Sequence, residues 1–349
     1  TNVSGTDDNV SYTTSAETKR QRVCFTVTAN NGKSYTRCSN TWQIDTTPPV
    51  CTNWSLSGGI DNDKIATGSP VTIKATNWAT KNVTLRVRCS DSYSGCKSTP
   101  SKTFSSNQTN ASTSLTIEDN AGHKPTCKAT VSVNIDKEKP TIRITQNAPS
   151  GWQQKNITIR AQATSGPSGI ESITYYYSGE KNCDYCHKAS STSSTSQTVS
   201  VPSNGQTANE RVCFKVTAKN GQTATACSNY WKIDWTGPTV TVTEGPKMNA
   251  PGCGSAPSVF ARYTVSDNLS GVRHVEDYWG ESNSDFSSSF LGNAINRGSS
   301  TSVLARYGTT CYSSGSPASS GVNYYLKVYA SDNAGNETFD HSNSSSKIG

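Results

Sequence analysis

The chain has 349 residues, 32% of them hydrophobic, with one Met, 12 Cys and a net charge of +7. So small an apolar share argues against one large core, and no apolar run approaches the roughly 20 residues that span a bilayer. Scattered Lys and Arg without an aromatic-lined stripe weigh against a nucleic-acid surface, and so many Cys point to an oxidising, extracytoplasmic setting.

Residues 1–46 read as a closing hairpin. Val23, Phe25 and Val27 alternate with Cys24, Thr26 and Thr28, the period of a strand with one buried face. Asn31-Gly32 then supplies the positive φ of a tight turn, and a second run returns to Trp42. Ile44-Asp45 leads through two Thr to Pro48, a punctuation that recurs as Ile135-Asp136 before Pro140 and as Ile233-Asp234 before Pro238. At each, an apolar run ends, the Asp can fold back on its own backbone, and Pro fixes φ before the next strand. The result is a short, stiff joint.

The intervals between joints, roughly ninety to a hundred residues, suit one β-sandwich each. Residues 47–136 carry a strand at Val83–Val87, the turn Ser94-Gly95-Cys96 and the turn Asp119-Asn-Ala-Gly122. Residues 137–234 carry Ile157–Ala161, Ser168-Gly169-Ile170 and Arg211-Val-Cys213-Phe214, which repeats Arg22-Val-Cys24-Phe25 through Asn220-Gly221 to Trp231. Residues 235–349 are longer, with Val259–Val265, Ser270-Gly271-Val272, Asp332-Asn-Ala-Gly-Asn336 and a Ser/Gly-rich stretch at 280–320. No long window has helical periodicity, so the expected class is all-β, as tandem sandwiches. Residues 1–46 align only with the last half of the third unit. Half a sandwich leaves an edge and an apolar face uncovered, so this segment is expected to be a fragment of a longer protein or to be completed by another chain.

These turns and joints, in this order and spacing, resemble the immunoglobulin-like repeats of bacterial cell-surface proteins, particularly Cys-rich arrays of Gram-positive gut bacteria. The resemblance covers essentially the whole chain. It implies a rod of immunoglobulin-like sandwiches serving as stalk, adhesin shaft or pilin-like extension at the cell surface, and it does not imply a catalytic activity; no cofactor is expected. The expected partners are neighbouring copies or the rest of a longer surface protein, with a host glycan or protein only on the alternative that 235–349 is an adhesin domain. The third unit departs from the pattern with Lys219-Asn220-Gly221 and an insert holding Cys183 and Cys186.

The cysteines are expected to pair within repeats. Cys24 and Cys38 lie symmetrically about Asn31, as Cys213 and Cys227 do about Asn220, so a hairpin places each pair face to face. Cys51 begins the first strand of its unit and Cys89 ends the second, which predicts Cys51–Cys89. Cys96 and Cys127 then form a pair at one end of that sandwich, Cys253 and Cys311 a pair at the opposite pole of the last unit, and Cys183 and Cys186 pair by elimination.

Three constellations compete with a purely structural reading. Cys183-Asp-Tyr-Cys186-His187 has the spacing of covalent c-type haem or part of a zinc site, but its polar surroundings favour a loop disulfide. Asp61-Asn-Asp63, Asp267 and Asp332 carry oxygens of the kind calcium takes, but the commoner use of such residues is in turns that bond their own backbone, so no metal is expected. Trp279, Phe286, Phe290 and Tyr307 around the enlarged 280–320 region form a candidate ligand surface, the basis of an adhesin reading for 235–349. Trp42, Trp54, Trp78, Trp152 and Trp231 are expected between the sheets or under the joints, and Tyr176 opposite Tyr175 and Tyr177. No nucleophile elbow, phosphate loop or His-Glu metal helix appears.

Overall fold

The computed structural model of the protein describes residues 9–60, 62–179, 195–201, 206–248, 258–281, 290–295, 300–307, 321–342 and 346–347. Every regular element among them is a β-strand, and none is a helix able to cross a membrane. The fold is all-β, built from pairs of facing sheets. The chain divides into two compact units. One comprises residues 1–140 with 165–169 and 218–222; the other holds the rest.

The first unit opens with β1 (Thr18–Gln21), β2 (Cys24–Thr28), β3 (Ser34–Cys38) and β4 (Trp42–Ile44), where β1 pairs β4 and β2 pairs β3. Cys24 faces Cys38 in register, and their sulfurs are bonded at 1.99 Å. Only Gly32 of the turn has positive φ, +81°; the Asn31 carboxamide oxygen accepts the Lys33 N–H at 3.1 Å. The turn therefore has a longer loop than a two-residue hairpin, with its left-handed residue at the glycine.

Next come β5 (Val50–Ser57), β6 (Asn62–Thr67), β7 (Val71–Ala79), β8 (Val83–Ser90), β9 (Ser101–Phe104), β10 (Gln108–Thr116) and β11 (Thr126–Ile135). They form one sheet in the order β6-β5-β8-β9 and another in the order β10-β11-β7, with β11 and β7 parallel. Alternation places Val83, Leu85 and Val87 of β8 opposite Cys127, Val131 and Val133 of β11, all fully buried around Trp54 and Ile73.

The disulfides of this sandwich differ from expectation. Cys51 and Cys89 do meet in register, yet Cys51 bonds Cys127 and Cys89 bonds Cys96. Cys127 lies on the opposite sheet and is fully buried, while Cys51 and Cys89 pack against the core. Cys51 thus staples sheet to sheet across the interior, and Cys89 closes the loop leading to Cys96. Strand ends told which cysteines share a pole, not which face each one points toward.

The second unit contains β12 (Thr141–Gln146), β13 (Trp152–Gln153), β14 (Ile157–Thr164), β15 (Ile170–Gly179), β16 (Ser196–Val201), β17 (Thr207–Ala218), β18 (Thr223–Cys227) and β19 (Trp231–Ile233). β12-β14-β16 face β13-β19-β17-β15, with β18 joined to β17. Their core gathers Ile159, Ile173, Val201, Phe214, Val216 and Trp231. Tyr177 packs edge-on to Trp231 with ring centroids 6.1 Å apart, while Tyr176 between its neighbours is exposed. Cys213 and Cys227 are bonded across β17 and β18 at 1.96 Å.

It continues with β20 (Thr239–Met248), β21 (Val259–Ser266), β22 (Val272–Gly280), β23 (Phe290–Ile295), β24 (Ser300–Tyr307), β25 (Asn323–Asp332), β26 (Glu337–His341) and β27 (Ser346–Lys347). The sheets run β20-β21-β24 and β23-β22-β25-β26, with β27 on β25. Their core includes Tyr263, Val275, Trp279, Tyr324 and Val328.

Residues 18–45 and 207–234 repeat one register. Thr18 pairs Ile44 and Gln21 pairs Trp42, as Thr207 pairs Ile233 and Glu210 pairs Trp231. Their burial is opposite. Phe214 and Val216 are 0% exposed beneath the facing sheet, whereas Phe25 and Val27 are 36% and 70% exposed.

Candidate functional site: carboxylate latches at the joints

Each joint ends a strand with an apolar residue followed by Asp, and each Asp does the same work. Asp45 Oδ1 accepts the Thr47 N–H at 3.0 Å and Oδ2 accepts the Ser94 N–H at 3.0 Å. Asp136 accepts from Glu138 at 3.1 Å and Ser168 at 3.0 Å; Asp234 accepts from Thr236 at 3.1 Å and Ser270 at 3.0 Å. One oxygen shapes the linker, and the other grips the Ser-Gly turn that follows β8, β14 or β21 in the next repeat. Asp136 and Asp234 are buried, so these charge-assisted bonds are shielded from water.

A second turn closes each latch from the other side. The amides of Asn120, Lys219 and Asn333 each donate to the glycine carbonyl of the gripped turn, Gly95, Gly169 and Gly271, at 3.0 Å. Asn220 Nδ2 donates to the carbonyls of Asp136 and Glu138 at 3.2 and 3.0 Å, and Asn336 Nδ2 to those of Asp234 and Thr236 at 2.9 and 3.3 Å. Gly166 approaches so closely that a Cβ there would lie 2.5 Å from Asp136 Oδ1.

Electrostatics differ among the three. In the third joint Asp267 Oδ1 accepts from Leu269 and Gly271, and Asp332 accepts from the Asn336 N–H at 2.8 Å and its Nδ2 at 2.7 Å. Carboxylate oxygens of Asp234, Asp267 and Asp332 lie within 4.8 Å of one another. They are the residues with oxygen donors suited to a hard cation, and all three are also engaged by N–H groups as turn aspartates are. In the first joint Asp119 Oδ1 accepts the Gly122 and His123 amides, and His123 Nδ1 lies 2.7 Å from Asp119 Oδ2. Burial pushes the Asp119 carboxyl up, but the His123 side chain and these amides outweigh it and hold it below its ordinary value. The Ser94 hydroxyl and amide hold Asp45 down, and Ser168 overcomes burial to do the same for Asp136. The second joint has a single carboxylate, since Ser165 and Ala218 stand where the others have Asp91 or Asp267 and Asp119 or Asp332.

Of the sequence candidates, Asp267 and Asp332 come together here. Asp61 lies outside the described residues, as does the side chain of Asp63. Trp279 is not a ligand surface: it is 0% exposed in the core, on the inward phase of β22 shared with Val275. The side chains of Phe290 and Tyr307, and all of Phe286, Cys183, Cys186, His187, Cys253 and Cys311, lie outside the described residues. Sequence reasoning marked Asp at the joints and the Ser-Gly turns separately and missed their partnership. Their separations, 49, 32 and 36 residues, are too uneven to read as a motif.

No family model and no curated protein matches the chain. Among solved structures it is similar to the I-band fragment I67-I69 from titin, at 9% identity and a TM-score of 0.40, covering 87% of this chain and 99% of that one. It is similar also to a 1.5-MDa bacterial ice-binding adhesin, at 14% identity and a TM-score of 0.32 over 87% and 100%. A Ca2+-stabilized adhesin of an Antarctic bacterium aligns at 13% identity and a TM-score of 0.29 over 93% and 81%.

Proposed function

We propose that this chain is a non-catalytic extracellular structural protein, a disulfide-stapled stalk or filament component of a bacterial surface. The observation that carries the reading is the threefold recurrence of one latch, an Asp at a strand end gripping the next repeat's Ser-Gly turn. Residues 47–136, 137–234 and 235–349 are then successive immunoglobulin-like domains. Residues 1–46 are the closing half of another, completed by further sequence or another chain, and neighbouring copies or a longer surface protein are the partners. Ladders of strand hydrogen bonds resist extension, while disulfides limit how much chain each unfolding event releases. The adhesin alternative for 235–349 loses its central aromatic, because Trp279 is spent on the core.

Single-molecule stretching of the oxidised full chain tests the mechanical reading. Cys51–Cys127 spans 76 residues, which hides about 270 Å of extended chain at roughly 3.5 Å per residue. Reduction is expected to lengthen one unfolding step by about that amount. A step of unchanged length, or unfolding without resistance to force, refutes the reading.

A further inference from the structure

The three joints share one backbone design and differ in charge, which makes them controls for one another. The second joint forms with Ser165 and Ala218, so the fold does not require the additional carboxylates. The third joint places Asn336 against Asp332, and the first places His123 at the same position of the turn against Asp119. A carboxamide donates identically at every pH. An imidazole gains a full charge within the physiological range.

We propose that the first joint is a proton-dependent latch, in which the His123 imidazolium supplies the cation for the carboxylates of Asp119 and Asp45, so that the joint tightens as pH falls and slackens as it rises. The geometry supports each part. Asp119 is 0% exposed, and the His123 side chain is 30% exposed, so protons reach the ring. Atoms of Asp45, Asp119 and His123 converge within 4.8 Å. Among the described residues, the carboxylates of Asp119, Asp45 and Asp91 act on the ring, and the neighbouring Glu118 is paired with Lys97 at 2.7 Å and Lys124 at 3.6 Å. The hydrogen bond to Asp119 raises the His123 pKa, and the nearby carboxylates add to it against burial. A group raised in the folded state contributes stability that is complete below its unfolded pKa and is lost as pH climbs through the folded one. Asp45 and Asp119, held low, stay ionised throughout that window. This inference depends on the latch geometry alone and stands whether or not the protein is a stalk.

The experiment is native-state hydrogen exchange on the full oxidised chain between about pH 5 and pH 8, corrected for intrinsic rates. The amides of Ser94, Gly122 and His123 report the first joint, Ser168 and Gly221 the second, and Ser270 and Asn336 the third. Protection at the first joint is expected to fall with rising pH, tenfold for each unit by which the folded state raises the His123 pKa. The other joints are expected to stay flat, as is the first joint in His123→Asn, which copies the third. Equal pH dependence at all three wild-type joints overturns the proposal without recourse to the variant, as does an NMR titration placing the His123 pKa at or below its ordinary value.

Discussion

Asp136→Ala removes both acceptors of one latch at once. Asp136 is 2% exposed, and its two oxygens take the Ser168 N–H and the Glu138 N–H. Ser168 is 4% exposed, so its amide stays buried without a partner and bears the full penalty of about 1–3 kcal/mol. Glu138 lies in an exposed stretch of linker where water replaces the carboxylate, at about 0.5–1 kcal/mol. The expected loss is therefore about 1.5–4 kcal/mol. Asp136→Asn keeps one acceptor and is expected to lose about half as much. Because unfolding of several domains need not be two-state, the readout is hydrogen exchange at residues 165–169 and 218–222, supported by calorimetry. Acid provides an independent check. The Asp136 carboxyl is held below its ordinary value by Ser168, so its contribution is present above the unfolded pKa and disappears as pH falls through the folded one. The alanine variant should have lost that acid-dependent portion. A change within about 0.5 kcal/mol, the range of an ordinary surface substitution, refutes the assignment of Asp136 as the anchor of the latch.

Two further outcomes follow from burial and connectivity. The Cys51–Cys127 bridge closes 76 residues and Cys24–Cys38 only 14, so chain-entropy estimates give about 4.5 against about 3 kcal/mol; Ser replacement of each pair, followed by thermal unfolding, is expected to keep that order, and a reversal counts against the sheet-to-sheet staple. Val216→Ala in the second unit should cost about 2 kcal/mol or more, whereas Val27→Ala at the repeated position should stay within about 0.5 kcal/mol, since these residues are 0% and 70% exposed. Equal losses in denaturant melts of this chain would show that residues 1–46 are covered after all.

The sequence by itself determined whatever depends on a few neighbouring residues. Alternation in Val83–Val87 and Val23–Val27 identified strands because the pleat sends successive side chains to opposite faces. The Cys24–Cys38 and Cys213–Cys227 contacts could be anticipated because a short loop carrying Gly32 or Gly221 leaves little freedom of register. Tertiary structure decided everything that crosses the sandwich or a joint. Cys51 and Cys89 share a pole and a register, but only the facing sheet brings Cys127 to Cys51. Trp279 looked like the rim of a polar loop, and the phase of β22 turns it inward. Asp45, Asp136 and Asp234 find Ser94, Ser168 and Ser270 across separations that change with loop length. Local chemistry fixes a strand's face and a turn's shape, while contacts between faces depend on how long loops close, and loop composition says little about that.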